Sequence, residues 1–255
     1  MKLSIITCTY NSEKYLKKTI NSIIAQNLDD NIYEHIFVDG NSIDSTQDII
    51  NKYIKKNTEK NIKLERKEAK WIYNAMNEWI KIAKWEYLLF LHSDDYLEPN
   101  ILKDYLKYID KTWNKDLYYA RFNAVDENWK FIYNAPSRKI YQKWLKKWLF
   151  WLLCYINQPA VIHKKNLHDR FWYFNENLKI KSDREFWIKL AKGKIVGLFY
   201  NKTITNFRIH ESWTSNNSKL EKISKNEDNY IWDKYYWIEK YLFKCILFMG
   251  LERNS

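Results

Sequence analysis

The feature that most constrains this chain is an alternation running through its first 98 residues. Short apolar runs that suit buried strands, "LSIITC" (3–8), "YEHIFVD" (33–39), "IKLE" (62–65) and "EYLLFLH" (86–92), are separated by stretches of helical periodicity. Between the first two runs, Tyr15, Leu16, Ile20, Ile23 and Ile24 fall on one face of a helix. Asn11 or Ser12 can cap that helix, which reaches about Gln26. A second helix starts near Thr46 and a third covers 72–84. Strands joined through helices return in the same direction, because an antiparallel partner needs only a tight turn. The expected fold is therefore α/β: a single domain with a mostly parallel central sheet flanked by helices. A chain of 255 residues suffices for one such domain with a substantial core.

The second half is less regular. Pro99 suits the first turn of a helix reaching about Asp110. "DLYYARFNAVDENWKFIYN" (116–134) reads as two strands joined by a tight turn. Helices are expected at about 139–152 and 182–192, and strands at about 195–200 and 203–209. From Ser218 the chain reads as a C-terminal helical tail rich in aromatics. No internal repeat, low-complexity tract or Pro/Gly linker divides the rest, so residues 1–217 are expected to form one domain and 218–255 its tail.

The net charge of +12 comes from lysines spread along the whole chain. That spread suits a solvated surface, or attraction to anionic lipid or phosphorylated substrates, and argues against a nucleic-acid-binding arm. Cys8, Cys154 and Cys245 have no metal-ligand spacing and leave an odd thiol, as in a reducing compartment. Met1 leads directly into a strand rather than a charged-then-apolar leader, and there is no run of 18 apolar residues. A cytoplasmic location follows as an expectation. The stretch "YIWDKYYWIEKYLFKCILFMG" (230–250) interleaves aromatics and lysines at helical spacing. It suits a helix packed on the domain or on a second copy, or one lying on an anionic membrane.

Ligands of parallel α/β sheets bind where loops converge at the carboxyl ends of the strands. Three polar clusters fall there: Thr7, Thr9, Tyr10 and Asn11 after the first strand, Asp39 after the second, and Asp94-Asp95 after the fourth. Two adjacent carboxylates can hold a hard divalent cation, with a diphosphate completing its shell. Taken alone, such a pair equally suits a helix N-terminus or a turn, and Asp183 alone suits an N-cap.

Four stretches in order and spacing, "LSIITCTYNSEKYLKKTINSIIAQ", "HIFVDGNSIDSTQDIINKY", "IYNAMNEWIKIAKWEYLLFLHSDDYLEPN" and "SDREFWIKLAK", resemble the family-2 glycosyltransferases. The resemblance covers about residues 2–216 and is to the branch that builds bacterial surface polysaccharides. It implies a type-A glycosyltransferase fold, with 1–98 as a nucleotide-binding half and 99–217 as an acceptor half. By that resemblance Thr9 and Tyr10 border the base of a nucleotide-sugar, and Asp39 accepts from the N3–H of uracil or thymine. Asp94 sits near the ribose, Asp95 binds Mn2+ or Mg2+, Asp183 is the catalytic base, and His210 lies near metal or diphosphate. The implied activity is inverting transfer from a UDP-sugar or dTDP-sugar to a saccharide or lipid-linked glycan, with peripheral membrane contact through the tail. A nucleotide-sugar-binding protein without turnover stays open beside it. The sequence departs from the family's pattern at Ala69, where an acidic residue is usual, and at Asn41 and Ser45, where glycines are frequent.

One compositional anomaly remains. The chain has 4 glycines and 13 tryptophans, against about 7% glycine in an average protein. Trp71, Trp79, Trp85, Trp129, Trp172 and Trp213 stand where the family pattern has glycine. Trp85 also falls where a helix ends, and Trp129 where "DEN" opens a hairpin. Both positions favour glycine, and a UGA codon read as tryptophan instead of glycine accounts for all six; a genuinely aromatic-rich protein, whose tryptophans pack in the core or stack on sugars, is the competing account. Trp187, at an apolar helix position, reads as an ordinary core residue.

Overall fold

The strands at the centre of the sheet are covered on both faces, which is why their sequences are unbroken apolar runs rather than alternating ones. The computed structural model describes residues 2–68, 71–113, 115–135, 156, 158–195, 197–209 and 218–236. Its first half runs β1 (Leu3–Thr9), α1 (Leu16–Ile24), β2 (Tyr33–Asp39), α2 (Thr46–Lys56), β3 (Ile62–Arg66), α3 (Ile72–Ile82) and β4 (Tyr87–Phe90). The second half continues with β5 (Tyr96–Leu97), α4 (Ile101–Lys111), β6 (Leu117–Val125), β7 (Phe131–Ala135), β8 (Val161–Lys164), α5 (Asn166–Phe171), α6 (Ser182–Lys192), β9 (Leu198–Arg208) and α7 (Ser218–Tyr235).

These strands form one sheet in the order β3-β2-β1-β4-β8-β6-β9-β5, with β7 added to β6. β3, β2, β1 and β4 are mutually parallel, β8 is antiparallel to both β4 and β6, and β6 runs parallel to β9. The expected α/β architecture with a mostly parallel, helix-flanked sheet is the one found. Successive side chains divide between the faces: Leu3, Ile5, Tyr87 and Leu89 pack with Leu102, Tyr105 and Ile109 of α4. Ile6, Leu88 and Phe90 instead meet Met76 and Ile80 of α3 and Phe186 and Trp187 of α6. Trp187 is a core residue, as its position suggests.

Three features differ from expectation. The two strands expected at 195–200 and 203–209 are one strand, β9. Its pairing with β6 jumps from Ala120↔Tyr200 to Arg121↔Thr203, so "NK" is an irregularity in a continuous strand, not a turn. β8 and α5, which "VIHKKNLHDRF" forms, were not anticipated, because each is too short to show a period. The helix expected at 139–152 lies outside the described residues. So does the second half of the tail, while its first half is α7. Among the described residues no helix is long and apolar enough to cross a membrane.

Candidate functional site

The parallel pairing of β1 with β2 puts Thr9 opposite Asp39 at the carboxyl ends of both strands. Both are buried, while Tyr10, one residue further on, is 67% exposed. Asp39 is densely solvated by the protein. Its Oδ1 lies 3.0 Å from Thr9 Oγ1 and accepts from Ser42 Oγ at 2.5 Å. Its Oδ2 accepts from the Ser42 N–H at 2.9 Å and from Gln47 Nε2 at 2.7 Å. A carboxylate has about four acceptor positions, so any further donor must displace one of these.

The loop after β4 is fastened to the same edge. Ser93 Oγ lies 2.8 Å from Ser12 Oγ. Thr19 Oγ1, in α1, lies 2.7 Å from the carbonyl oxygen of Asp95. The Asp95 side chain is fully buried; its Oδ1 accepts from the Arg208 backbone N–H at 3.0 Å, and its Oδ2 has no hydrogen-bond partner. Burial first, and then the charge of Asp94, push the Asp95 carboxyl well above the ordinary carboxylate range, against the pull of Arg208. Asp94 is half-buried and accepts from Arg208 Nη2 at 3.3 Å. The Arg208 guanidinium lies over the ring of Tyr15 at 3.1 Å from its centroid, and its Nη1 is buried without a partner. An unpartnered carboxylate oxygen beside a second carboxylate is a hard oxygen donor set. Its chemistry suits Mg2+ or Mn2+ better than a soft metal.

Asp183 lies in the first turn of α6. Burial raises its carboxyl, opposed by the Arg184 backbone N–H, the Tyr73 hydroxyl and the charge of His92. Tyr73, from the first turn of α3, holds its hydroxyl 2.9 Å from Asp183 Oδ1 and 2.6 Å from the Ile180 carbonyl oxygen. A phenol has one hydrogen, so the Tyr73 hydroxyl shares it between the Asp183 carboxylate and the Ile180 carbonyl oxygen. His92 links the two groups electrostatically: burial lowers its proton affinity, while Asp94 and Asp183 both raise it.

Thus Thr9, Tyr10, Asp39, Asp94 and Asp95 share the edge formed by the ends of β1, β2 and β4, and the charges of Asp94 and Asp183 both act on His92. His210 lies outside the described residues. Sequence reasoning did not single out Arg208, Tyr73, Ser42 or Gln47. The clue for Arg208 was a charge inside "ITNFRIH", where a strand with no buried counter-ion has no place for one.

The comparisons with known proteins bear on the family and the fold. The family described as "Glycosyl transferase family 2" matches residues 4–171. The poly(ribitol-phosphate) beta-N-acetylglucosaminyltransferase TarS of Staphylococcus aureus is 31% identical over 194 residues, covering 74% of this chain and 32% of TarS. The poly(ribitol-phosphate) beta-glucosyltransferase of Bacillus spizizenii is 43% identical over 103 residues, covering 40% of this chain and 16% of that protein. The crystal structure of S. aureus TarS 1-349 in complex with UDP-GlcNAc superposes with a TM-score of 0.67 at 25% identity, covering 88% of this chain and 64% of that one. The chain therefore spans about a third of the length of the TarS sequence it matches. By that family match and its identity to these relatives, this chain is a member of glycosyl transferase family 2.

Proposed function

We propose that this chain transfers a sugar from a UDP-sugar to a saccharide or lipid-linked glycan hydroxyl in surface polysaccharide synthesis, inverting the anomeric centre, with a divalent metal ion. The observation that supports the reading is the gathering of Thr9, Asp39, Asp94 and Asp95 at the carboxyl ends of β1, β2 and β4, with Asp183 near enough to His92 for its charge, like that of Asp94, to act on the imidazole. A dTDP-sugar fits the base contact equally, and TarS with bound UDP-GlcNAc favours UDP.

The chemistry asks one residue to take a proton and others to hold a nucleoside diphosphate. Asp183 accepts the proton of the acceptor hydroxyl as that oxygen attacks the anomeric carbon, and a raised proton affinity makes it a better base near neutral pH. One base and no protein nucleophile imply attack from the face opposite the leaving diphosphate, through an oxocarbenium-like state. Thr9 and Tyr10 border the nucleobase, and Asp39 accepts its N3–H in exchange for the Gln47 amide. Asp94 lies by the ribose, and Asp95 would hold Mn2+ or Mg2+, which would neutralise charge on the departing diphosphate. His210 is the remaining candidate neighbour of metal or diphosphate. The expected location is cytoplasmic, with the tail touching the inner face of the membrane and no nucleic acid involved.

The test is UDP-GlcNAc binding and hydrolysis with Mn2+. The expected result is turnover by the intact chain, and about a 100- to 10,000-fold loss of kcat with retained binding in Asp183→Asn. Binding without turnover in the intact chain, across a panel of UDP- and dTDP-sugars and acceptors, would establish the non-catalytic alternative instead.

A further inference from the structure

The segment that delivers Asp183 is held from outside its own helix. Residues 179–181 lead into α6, whose N-cap position, Lys181, makes no side-chain cap. Their three successive backbone N–H groups instead donate to one carboxylate, that of Glu227 in α7: Lys179 at 2.6 Å, Ile180 at 3.1 Å and Lys181 at 2.9 Å. Glu227 is 7% exposed. The next residue, Asp228, pairs with Lys181 Nζ and with Arg184 Nη1. Ile231 and Tyr236 seat α7 on Leu178 and Ile188. Glu185, buried in α6, accepts from Lys234 Nζ and the Tyr235 hydroxyl, each at 2.9 Å. On the opposite side the Tyr73 hydroxyl reaches the Ile180 carbonyl oxygen and Asp183.

We propose that Glu227 is a positioning residue for sugar transfer: by gathering the N–H groups of 179–181 it sets the height and direction of the Asp183 carboxylate. This rests on the reading of Asp183 as the base. Charge-assisted hydrogen bonds to three consecutive amides fix a backbone more tightly than one neutral cap, and misplacing a catalytic group by about 1 Å can cost on the order of 100-fold. The groups facing Asp183 are Tyr73 from α3, His92 from the loop after β4, and Arg184 on α6. None of them replaces the missing cap of residues 179–181.

The experiment uses the full chain with UDP-GlcNAc and Mn2+, water serving as acceptor. In Glu227→Ala, kcat for hydrolysis falls about 10- to 100-fold with the KM for UDP-GlcNAc unchanged. The acid limb of the kcat profile moves to lower pH, because a loosened segment admits water to Asp183. A role confined to global stability would lower the melting temperature and leave that limb in place. If the alanine variant does not fold, Glu227→Gln decides; it keeps the shape but turns an N–H2 toward the backbone amides, and the same losses are expected. Wild-type kcat and limb in the folded variant overturn the proposal. Asp183→Asn separates the two ideas: if it retains turnover, the reading of Asp183 fails, whereas a silent Asp183→Asn beside an unaffected Glu227 variant removes the positioning role alone.

A second observation stands apart from this one. None of the described glycines has positive φ, yet Trp113, Trp129 and Trp172 do, at 65°, 68° and 68°. Trp172 combines its φ of 68° with ψ 148°, close to a region that is essentially glycine-only. Trp113 and Trp172 are 86% and 80% exposed, so no packing compensates. We infer that positions 113, 129 and 172 are glycine in the protein that the gene's own cell makes, through UGA read as glycine. Trp71, at φ −153°, and Trp79, inside α3, have backbones that any residue adopts. Trp213 lies outside the described residues. UGG codons at 113, 129 and 172 in the gene, or tryptophan there in peptides of the native protein, overturn the inference; UGA codons with glycine-containing peptides establish it. Independently, Trp172→Gly raises the melting temperature by about 2–4 °C or more, and an unchanged or lower value counts against it.

Discussion

Asp39 and Asp183 are both held by hydrogen bonds, yet from opposite distances along the chain. Asp39 takes Ser42 and Gln47 from its own turn and Thr9 from the adjoining strand end. Asp183 depends on Tyr73, 110 residues earlier, and its lead-in segment on Glu227, 46 to 48 residues later. The Asp39 end of the proposed donor edge is thus assembled from a strand, its turn and its neighbour, whereas Asp94 and Asp95 take Arg208 from β9. The proposed base, Asp183, is held by contacts from two helices that otherwise belong to different parts of the fold, Tyr73 of α3 and Glu227 of α7. Local assembly is robust to change elsewhere; assembly by remote helices is not.

The contrast can be broken most severely with acid. His35 lies in β2 beside Thr7 of β1, whose Oγ1 is 3.0 Å from its Nε2. His163 and His168 lie across the sheet, with their Nε2 atoms 2.8 Å apart. Burial depresses His35 and His163 to about 3, and His168 well below its usual value with His163 adding to the effect. A depressed histidine is neutral when folded and protonated when unfolded, so its contribution is complete above about 6.5 and is lost as pH falls toward 3. The stability of the whole chain should decline over that window. Because the pair cannot accept two charges at contact distance, β8 and α5 should lose amide-exchange protection before β1 and β2. Simultaneous opening would erase the distinction between the halves.

A smaller effect is expected from Asp39→Asn. Its N–H2 must face at least one of the four donors, leaving buried polar groups opposed at a cost of about 1–3 kcal/mol in urea unfolding. UDP-GlcNAc affinity should fall as well. The mildest perturbation is Tyr73→Phe, which removes one hydroxyl and should cost about 1 kcal/mol. It should nevertheless move the acid limb of kcat while leaving the KM for UDP-GlcNAc alone. Equal effects of both substitutions on donor KM would show that the two carboxylates are not separately assembled.

The same contrast explains what could be read in the sequence. β1, β2, α2 and α6 were legible to within a residue or so, because apolar runs and a helical period are local signals. Thr9, Asp39, Asp94 and Asp95 were legible as strand-end residues for the same reason. Tyr73 and Glu227 were not, since "IYNAMN" and "KNEDNY" carry no mark of what they will face. Neither was the course of β9, where the polar "NK" imitates a turn until β6 is beside it. The tail was expected to pack on the domain or on a second copy, or to lie on a membrane; that α7 packs on the domain and bonds to the loop just before Asp183 is a tertiary fact.

The two-helix hold on that loop also orders events during synthesis. Chains emerge from the amino end, and early segments can fold before later ones exist. β1 to β4, with Asp39 and the acid pair, can assemble while Glu227 has yet to be made. The segment leading into Asp183 gains its last three amide bonds only once α7 has docked, so on the proposed reading a nascent chain holds its nucleotide-binding edge before its base is positioned. Competence therefore arrives late, with the last described helix.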